Sequence, residues 1–202
     1  MTDHAGGEES FHASAIEHAK PHLPGELGIW FFVAGDLMVF TLFFILIAVG
    51  SKEQASIFAQ SRAKLDMWVG VTNTALLLTG SWFVATGVEQ CRRFHNPKIS
   101  RYFSLAILCG LWFVVNKSFE WGSKIHAGIT PATNDFYMYF FVFTGIHLLH
   151  VLIGIGVLLF LRSVSRRPTL GHSDIRTLES GATFWHLVDL LWVFLFALLY
   201  LV

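Results

Sequence analysis

The fold is decided by the stretch FWHLVDLLWVFLFALLYLV, which runs from Phe184 to Val202. It is almost wholly apolar, and it is as long as the roughly 20 residues with which a helix crosses the hydrocarbon core of a bilayer. It nevertheless contains His186 and Asp189, which are spaced i and i+3 and therefore share one helical face. Because ionisable groups inside a membrane are costly, this pair calls for a packing or a functional explanation.

The composition of the chain is that of a membrane protein. Of its 202 residues, 54% are hydrophobic and only 14% are charged, and the mean hydropathy is +0.57. Soluble domains carry about 25% charged residues. The formal net charge is zero, so the composition does not predict a nucleic-acid partner. The two cysteines, Cys91 and Cys109, have neither metal-site spacing nor the pattern of a secreted disulfide protein.

Four further apolar stretches resemble the C-terminal one, and polar loops separate them. Because backbone groups in lipid must be paired internally, each stretch is predicted to be a helix. Residues 28–202 are therefore predicted to form one all-α, polytopic membrane bundle. The expected spans cover about 28–50, 67–90, 102–125, 136–161 and 181–202.

Residues 1–27 are predicted to form a polar tail. They contain no apolar segment of the kind that forms the core of a cleavable signal peptide. A histidine-rich tract is able to bind metal, but the uneven spacing here favours an ordinary tail. The four histidines concerned are His4, His12, His18 and His22.

The distribution of Lys and Arg predicts the orientation. The tail and the loops after spans two and four carry nine of these residues, whereas the opposite side carries four. The positive-inside rule then places the N-terminus in the cytoplasm and the C-terminus outside. The nine are Lys20, Arg92, Arg93, Lys98, Arg101, Arg162, Arg166, Arg167 and Arg176, and the four are Lys52, Arg62, Lys64 and Lys124.

A short set of ionisable side chains lies within the spans, and each is a functional hypothesis. A helix rises about 1.5 Å per residue, so position in the sequence predicts depth in the membrane. The carboxylates and histidines of three helices are then expected in a layer toward the cytoplasmic side, and Lys117 and Glu120 are expected as a pair near the outer side. Asp36 has no basic residue near it in sequence, so it is a candidate for a proton-related role. The set comprises Asp36, Lys117, Glu120, His147, His150, His186 and Asp189.

Three interpretations of these groups remain open. They can satisfy one another between helices and fix the packing. Alternatively, His147 or His150 could hold a haem with His186, or a metal with Glu120, which would make the chain a stand-alone redox protein. The third interpretation is a small proton-coupled transporter using Asp36 and Asp189, although no internal repeat or broken helix supports it.

Several of these stretches together resemble subunit III of the haem-copper respiratory oxidases. The similarity covers residues 28–202 and follows the order of that family. The entry HLPGELGIWFFVAGD is most similar to short, five-helix forms associated with nitric oxide reductases. The matching stretches are GIWFFVAGDLMVF, TNTALLLTGSWFV, KSFEW, FFVFTGIHLLHVLIG and ESGATFWHLVDLLWVFLFALLY.

The resemblance implies a bacterial inner-membrane subunit that carries no redox cofactor. Haem with copper or non-haem iron is then expected in a partner, the subunit I-like catalytic protein, and structural phospholipid is expected between the helices. Asp36 stands where the mitochondrial type usually has a buried glutamate, and this departure weakens a direct transfer of the proton-related role. The resemblance also implies a buried polar network, which would comprise Glu120, His147, His150, His186 and Asp189.

Overall fold

The computed structural model describes residues 27–93 and 99–201, and all of the predicted spans are helices. Five helices are long and apolar enough to cross a membrane. The tail histidines lie outside the described residues. The elements are α1 (Leu27–Glu53), α2 (Ala55–Arg62), α3 (Met67–Arg93), α4 (Ser100–His126), α5 (Asp135–Val164) and α6 (His172–Phe196), followed by a π-helical turn, Ala197–Leu201.

The last long helix begins earlier than the hydropathy predicts. The expected span started at residue 181, whereas α6 starts at His172. Gly171 precedes it with an extended backbone, and the Gly171 amide donates to Asp174 Oδ2 at 3.0 Å. Asp174 also pairs with Arg167. A carboxylate in the first turn stabilises a helix start, so this polar segment becomes helical although it is not apolar.

The loop after α1 contains the short helix α2, which the hydropathy pattern did not predict. It is tied to the start of α5 by polar contacts. Asn134 donates to Ser61 Oγ at 2.9 Å, and Gln54 donates to Asp135 Oδ2 at 2.6 Å. Phe58 of α2 is buried against Phe136. This end of the bundle is therefore closed by ordered backbone.

Helices α3 to α6 form the body of the molecule. Each packs on two others, in the sequence α3, α4, α5, α6 and back to α3. The indole of Trp185 lies at the centre, and three glycines allow it to fit there. A Cβ on Gly110 or Gly154 would come within 2.9 Å of Trp185, and one on Gly80 within 3.6 Å. Small residues that admit close helix packing are typical of membrane bundles.

Helix α1 lies against one side of this body, on α5 and α6. It is apolar almost all round, and its outer face is exposed; Phe31, for example, is 74% exposed. Its inner face buries Phe40 and Ile47, and Phe43 stacks on Phe143 with ring centroids 4.6 Å apart. In a bilayer the exposed apolar face would meet lipid or a partner subunit.

Candidate functional site

A fully buried ionic cluster lies between the C-terminal ends of α4 and α6. Lys117 is 0% exposed, and its Nζ lies 2.8 Å from Glu120 Oε2. The same ammonium donates to the hydroxyl of Tyr200 at 3.1 Å, and that hydroxyl donates to Glu120 Oε1 at 2.7 Å. The predicted Lys117–Glu120 pairing is confirmed. Tyr200, which the sequence analysis did not single out, completes what we call the outer cluster.

Aromatic rings surround the ammonium of the outer cluster. Lys117 Nζ lies 4.6 Å from the ring centroid of Phe140 and 4.9 Å from that of Trp192. The ring of Tyr200 is 5.5 Å away. Cation–π contacts offset part of the lost hydration of a buried ammonium. Both carboxylate oxygens of Glu120 are also bonded, so the charges are paired as a buried ion pair requires.

Asp36 of α1 and His150 of α5 form a second polar group, which we call the inner pair. Asp36 Oδ2 lies 3.3 Å from His150 Nε2, and the two side chains are only 14% and 15% exposed. His150 Nδ1 lies 2.8 Å from the carbonyl of Ile146, so this nitrogen carries the hydrogen and the ring is fixed in orientation. The Nε2 atom is then directed at the carboxylate. The contact does not meet hydrogen-bond geometry, so Asp36 Oδ2 has no hydrogen-bond partner among the described residues.

His186 of α6 meets Ser81 of α3. The Ser81 hydroxyl lies 2.5 Å from His186 Nδ1. Ser81 is buried, whereas His186 is exposed. Asp189, one helical turn further along α6, is buried, and its Oδ1 has no hydrogen-bond partner among the described residues. The contact between Ser81 and His186 joins α3 to α6.

His147 of α5 is the most buried of the described histidines, at 0% exposure. Its ring packs edge to face with Phe113 at 5.7 Å and lies tilted against Trp192 at 5.3 Å. Neither of its ring nitrogens has a hydrogen-bond partner among the described residues. Buried polar groups are almost always bonded, so this histidine needs an explanation.

The structure divides the predicted polar positions into separate groups. The resemblance predicts one buried network of all five positions. In the structure His150 contacts Asp36, and Glu120 contacts Lys117 and Tyr200. His186 contacts Ser81 and is exposed, contrary to the prediction that it is buried. The two hydroxyl partners were missed because Ser and Tyr are common in membrane helices. Tyr200 could have been predicted from its position, because it and Glu120 both lie near the ends of spans that finish on the same side of the bundle.

A haem or metal site needs histidine nitrogens that are free to act as ligands. His150 and His186 each direct a nitrogen at a side chain of the protein, Asp36 and Ser81 respectively. Within residues 27–93 and 99–201, no group of three or more His, Cys, Asp or Glu side chains is placed to hold a metal ion.

Cavities between the described residues open on the surface of the bundle. An apolar groove of about 370 Å³ lies between α1, α5 and α6 and is lined by Ile29, Phe32, Val157 and Phe160, among others. A polar pocket of about 490 Å³ adjoins the outer cluster; it is lined by Asp66, Asn116, Glu120 and Lys124 with aromatic neighbours. A third, of about 440 Å³, is lined by Arg92, His172, Ile175, Arg176 and Glu179.

Comparison with known proteins identifies relatives along nearly the whole chain. The family model described as cytochrome c oxidase subunit III matches residues 11–202. Cytochrome c oxidase subunit 3 of Thermostichus vulcanus is 28% identical over 195 residues, which are 94% of this chain and 93% of that protein. The subunit 3 of Bacillus sp. (strain PS3) is 27% identical over 176 residues, with 87% and 84% covered. Quinol oxidase subunit 3 of Bacillus subtilis (strain 168) is 26% identical over 200 residues, with 92% and 95% covered.

Proposed function

The chain belongs to the cytochrome c oxidase subunit III family, and we propose that it works as a non-catalytic subunit of a haem-copper terminal oxidase or of a nitric oxide reductase. The observation that carries this proposal is the family match over residues 11–202, which includes all five long helices. The subunit would be part of respiratory electron transport.

Catalysis then belongs to a subunit I-like haem protein packed beside this chain. That partner would hold the haems with copper or non-haem iron, and this chain would stabilise it and support its proton uptake. The outer cluster supports a structural role, because its carboxylate oxygens already accept hydrogen bonds from within the chain. The inner pair supports the proton-related role, because it is not sealed from the surface.

The nitric oxide reductase-associated subtype is the finer part of the proposal. It rests on HLPGELGIWFFVAGD at the start of the first span. The relatives named above are cytochrome c and quinol oxidase subunits, so the alternative within the same family is an oxygen-reducing partner. We also propose a bacterial inner-membrane location with a cytoplasmic N-terminus, which the excess of Lys and Arg on that side supports.

Structural phospholipid is the third part of the proposal, and the apolar groove supports it. Its lining between α1, α5 and α6 is aliphatic and aromatic, as an acyl chain requires, and its volume is about 370 Å³. Thr177 and Ser180 also line the groove. Val157→Trp should fill the groove and reduce the phospholipid retained on the purified chain in native mass spectrometry. Leu152→Trp, on an exposed part of the same helix, is the matched control and should retain it.

Copurification tests the main proposal. The chain would be tagged at its native locus, extracted in mild detergent, and the eluate examined by reduced-minus-oxidised haem spectra and by assays of oxygen and nitric oxide consumption. We expect a haem protein in stoichiometric amount. Consumption of oxygen by the eluate would identify the partner as an oxidase, and consumption of nitric oxide would identify it as a nitric oxide reductase. An eluate that contains only this chain, without colour, would contradict the proposal. A haem-coloured eluate of this chain alone would instead make its histidines ligands.

A further inference from the structure

His147 differs from the other histidines of the spans in having no hydrogen-bond partner. His150 and His186 each direct a ring nitrogen at a neighbouring oxygen, whereas both nitrogens of His147 are buried and unpaired among the described residues. A neutral imidazole has one N–H donor and one acceptor nitrogen, so two separate requirements are unmet. Neither lipid nor bulk water reaches a residue that is 0% exposed.

The aromatic neighbours can meet only one of these requirements. Phe113 is edge to face with the His147 ring at 5.7 Å, and an aromatic face accepts an N–H weakly. No aromatic face can donate to the acceptor nitrogen. The indole N–H of Trp192 is also committed, because it donates to Thr74 Oγ1 at 3.0 Å. The acceptor nitrogen of His147 therefore needs a donor from elsewhere.

The ammonium of Lys117 has a donor to spare. It has three N–H groups, and two of them are used by Glu120 at 2.8 Å and Tyr200 at 3.1 Å. Lys117 and His147 lie beside one common side chain, that of Trp192. The ring of this indole is 4.9 Å from Nζ and 5.3 Å from the ring of His147. No direct hydrogen bond joins the two.

We propose that a single buried water molecule joins Lys117 to His147. It accepts the third N–H of the ammonium and donates to the unprotonated nitrogen of the imidazole. A neutral ligand fits because Glu120 already neutralises Lys117, and a cation would be repelled by the ammonium. Buried waters in proteins typically bond to two to four polar groups that would otherwise be unsatisfied.

The consequence of this water is a hydrogen-bonded link between the outer cluster and His147 of α5. His147 and His150 are one helical turn apart on the same face, and His150 contacts Asp36. The hydrogen-bonded groups would then run from Glu120 to His147 and end one helical turn from the inner pair. This inference goes beyond the proposed function, because it concerns the chain itself and needs no catalytic partner.

Water-edited solid-state NMR on the full chain, labelled with ¹⁵N-histidine and placed in lipid bilayers, tests the proposal directly. Magnetisation from water should reach the ring nitrogens of His147, and His147→Gln assigns its signals. The exposed His126 is the internal positive control. Transfer at His126 with none at His147 would overturn the proposal. This measurement uses the unmodified chain and does not depend on a variant that folds.

Thermal unfolding of His147→Phe gives an independent test. A phenyl ring fits beside Phe113 and Trp192 but cannot bond to water, so we expect the melting temperature to fall by at least about 4 °C. His126→Phe is the matched control at an exposed helix end and should leave the melting temperature unchanged. A melting temperature of His147→Phe equal to or above that of the wild type would show that the site is apolar and dry, and it would contradict the proposal.

Discussion

Helix α1 and the body formed by α3 to α6 use the same kinds of polar side chain in opposite ways. Within the body, Lys117 is fully buried among aromatic rings, and both oxygens of its counter-charge Glu120 accept hydrogen bonds. Between α1 and the body, Asp36 and His150 are one-seventh exposed, at 14% and 15%, and their contact of 3.3 Å is loose. A sealed, satisfied cluster is suited to holding helices together. A loose pair between packed elements contributes less to holding them together.

The largest effect is expected from breaking the sealed cluster. Glu120→Gln should cost about 3–5 kcal/mol in the free energy of unfolding, because it leaves the buried ammonium of Lys117 without a counter-charge. Unfolding in a mixed-detergent titration measures this.

The double variant Lys117→Met with Glu120→Leu provides the control for that prediction. It removes both charges and should fall much closer to the wild type, since apolar replacement of a whole buried pair is often neutral. If the double variant is as unstable as Glu120→Gln, the lower free energy of unfolding comes from lost packing and not from an unpaired charge. The outer cluster and the inner pair would then not differ in the way proposed.

A second prediction tests how tightly the body is packed. Gly154→Ala should cost about 1–3 kcal/mol, because the added Cβ would meet the Trp185 ring at 2.9 Å and overpacking of a core is destabilising. Gly156 lies on the same helix with nothing within 4 Å, so Gly156→Ala should be neutral or slightly stabilising. Equal melting temperatures for the two variants would mean that the packing around Trp185 accommodates the added methyl group without loss of stability.

The sequence predicts the five spans well, because apolar length is a local property that packing does not alter. It predicts α6 poorly at its start, since the Asp174 carboxylate and Gly171 amide extend the helix into polar sequence. The Lys117–Glu120 pair was predictable from its i,i+3 spacing. The contact of Asp36 with His150 was not, because the rotation of α1 against α5 depends on tertiary packing. Ser81 and Tyr200 carry no charge, so hydropathy gave no reason to choose them.

The third prediction concerns His150, the member of the inner pair that lies in the body, and its expected effect is no larger than that of Gly154→Ala. His150→Leu should cost about 1–3 kcal/mol and loosen α1, because it leaves the Asp36 carboxylate without its partner. Hydrogen exchange of the backbone of α1, compared with that of α4, measures where the loss occurs. Faster exchange confined to α1 is the expected result. Unchanged assembly and thermal stability would remove the structural role of this pair.

The smallest effect is expected from Asp36→Asn, which keeps the shape of the side chain and removes its charge. The side chain is partly exposed and the contact with His150 is loose, so folding and assembly should be close to those of the wild type. If the pair assists proton uptake by the partner, turnover of the assembled enzyme should fall, and the fall should grow at alkaline pH, where protons are scarce. The fall should stay well below the roughly 100-fold cost of losing a general acid or base in a chemical step, because the chemistry is in the partner.

Asp66→Asn, at the start of α3, is the matched control and should leave the pH profile unchanged. Identical turnover and proton uptake for Asp36→Asn and the wild type across alkaline pH would leave the inner pair with packing as its only role, and the contrast between α1 and the body would then be one of strength alone.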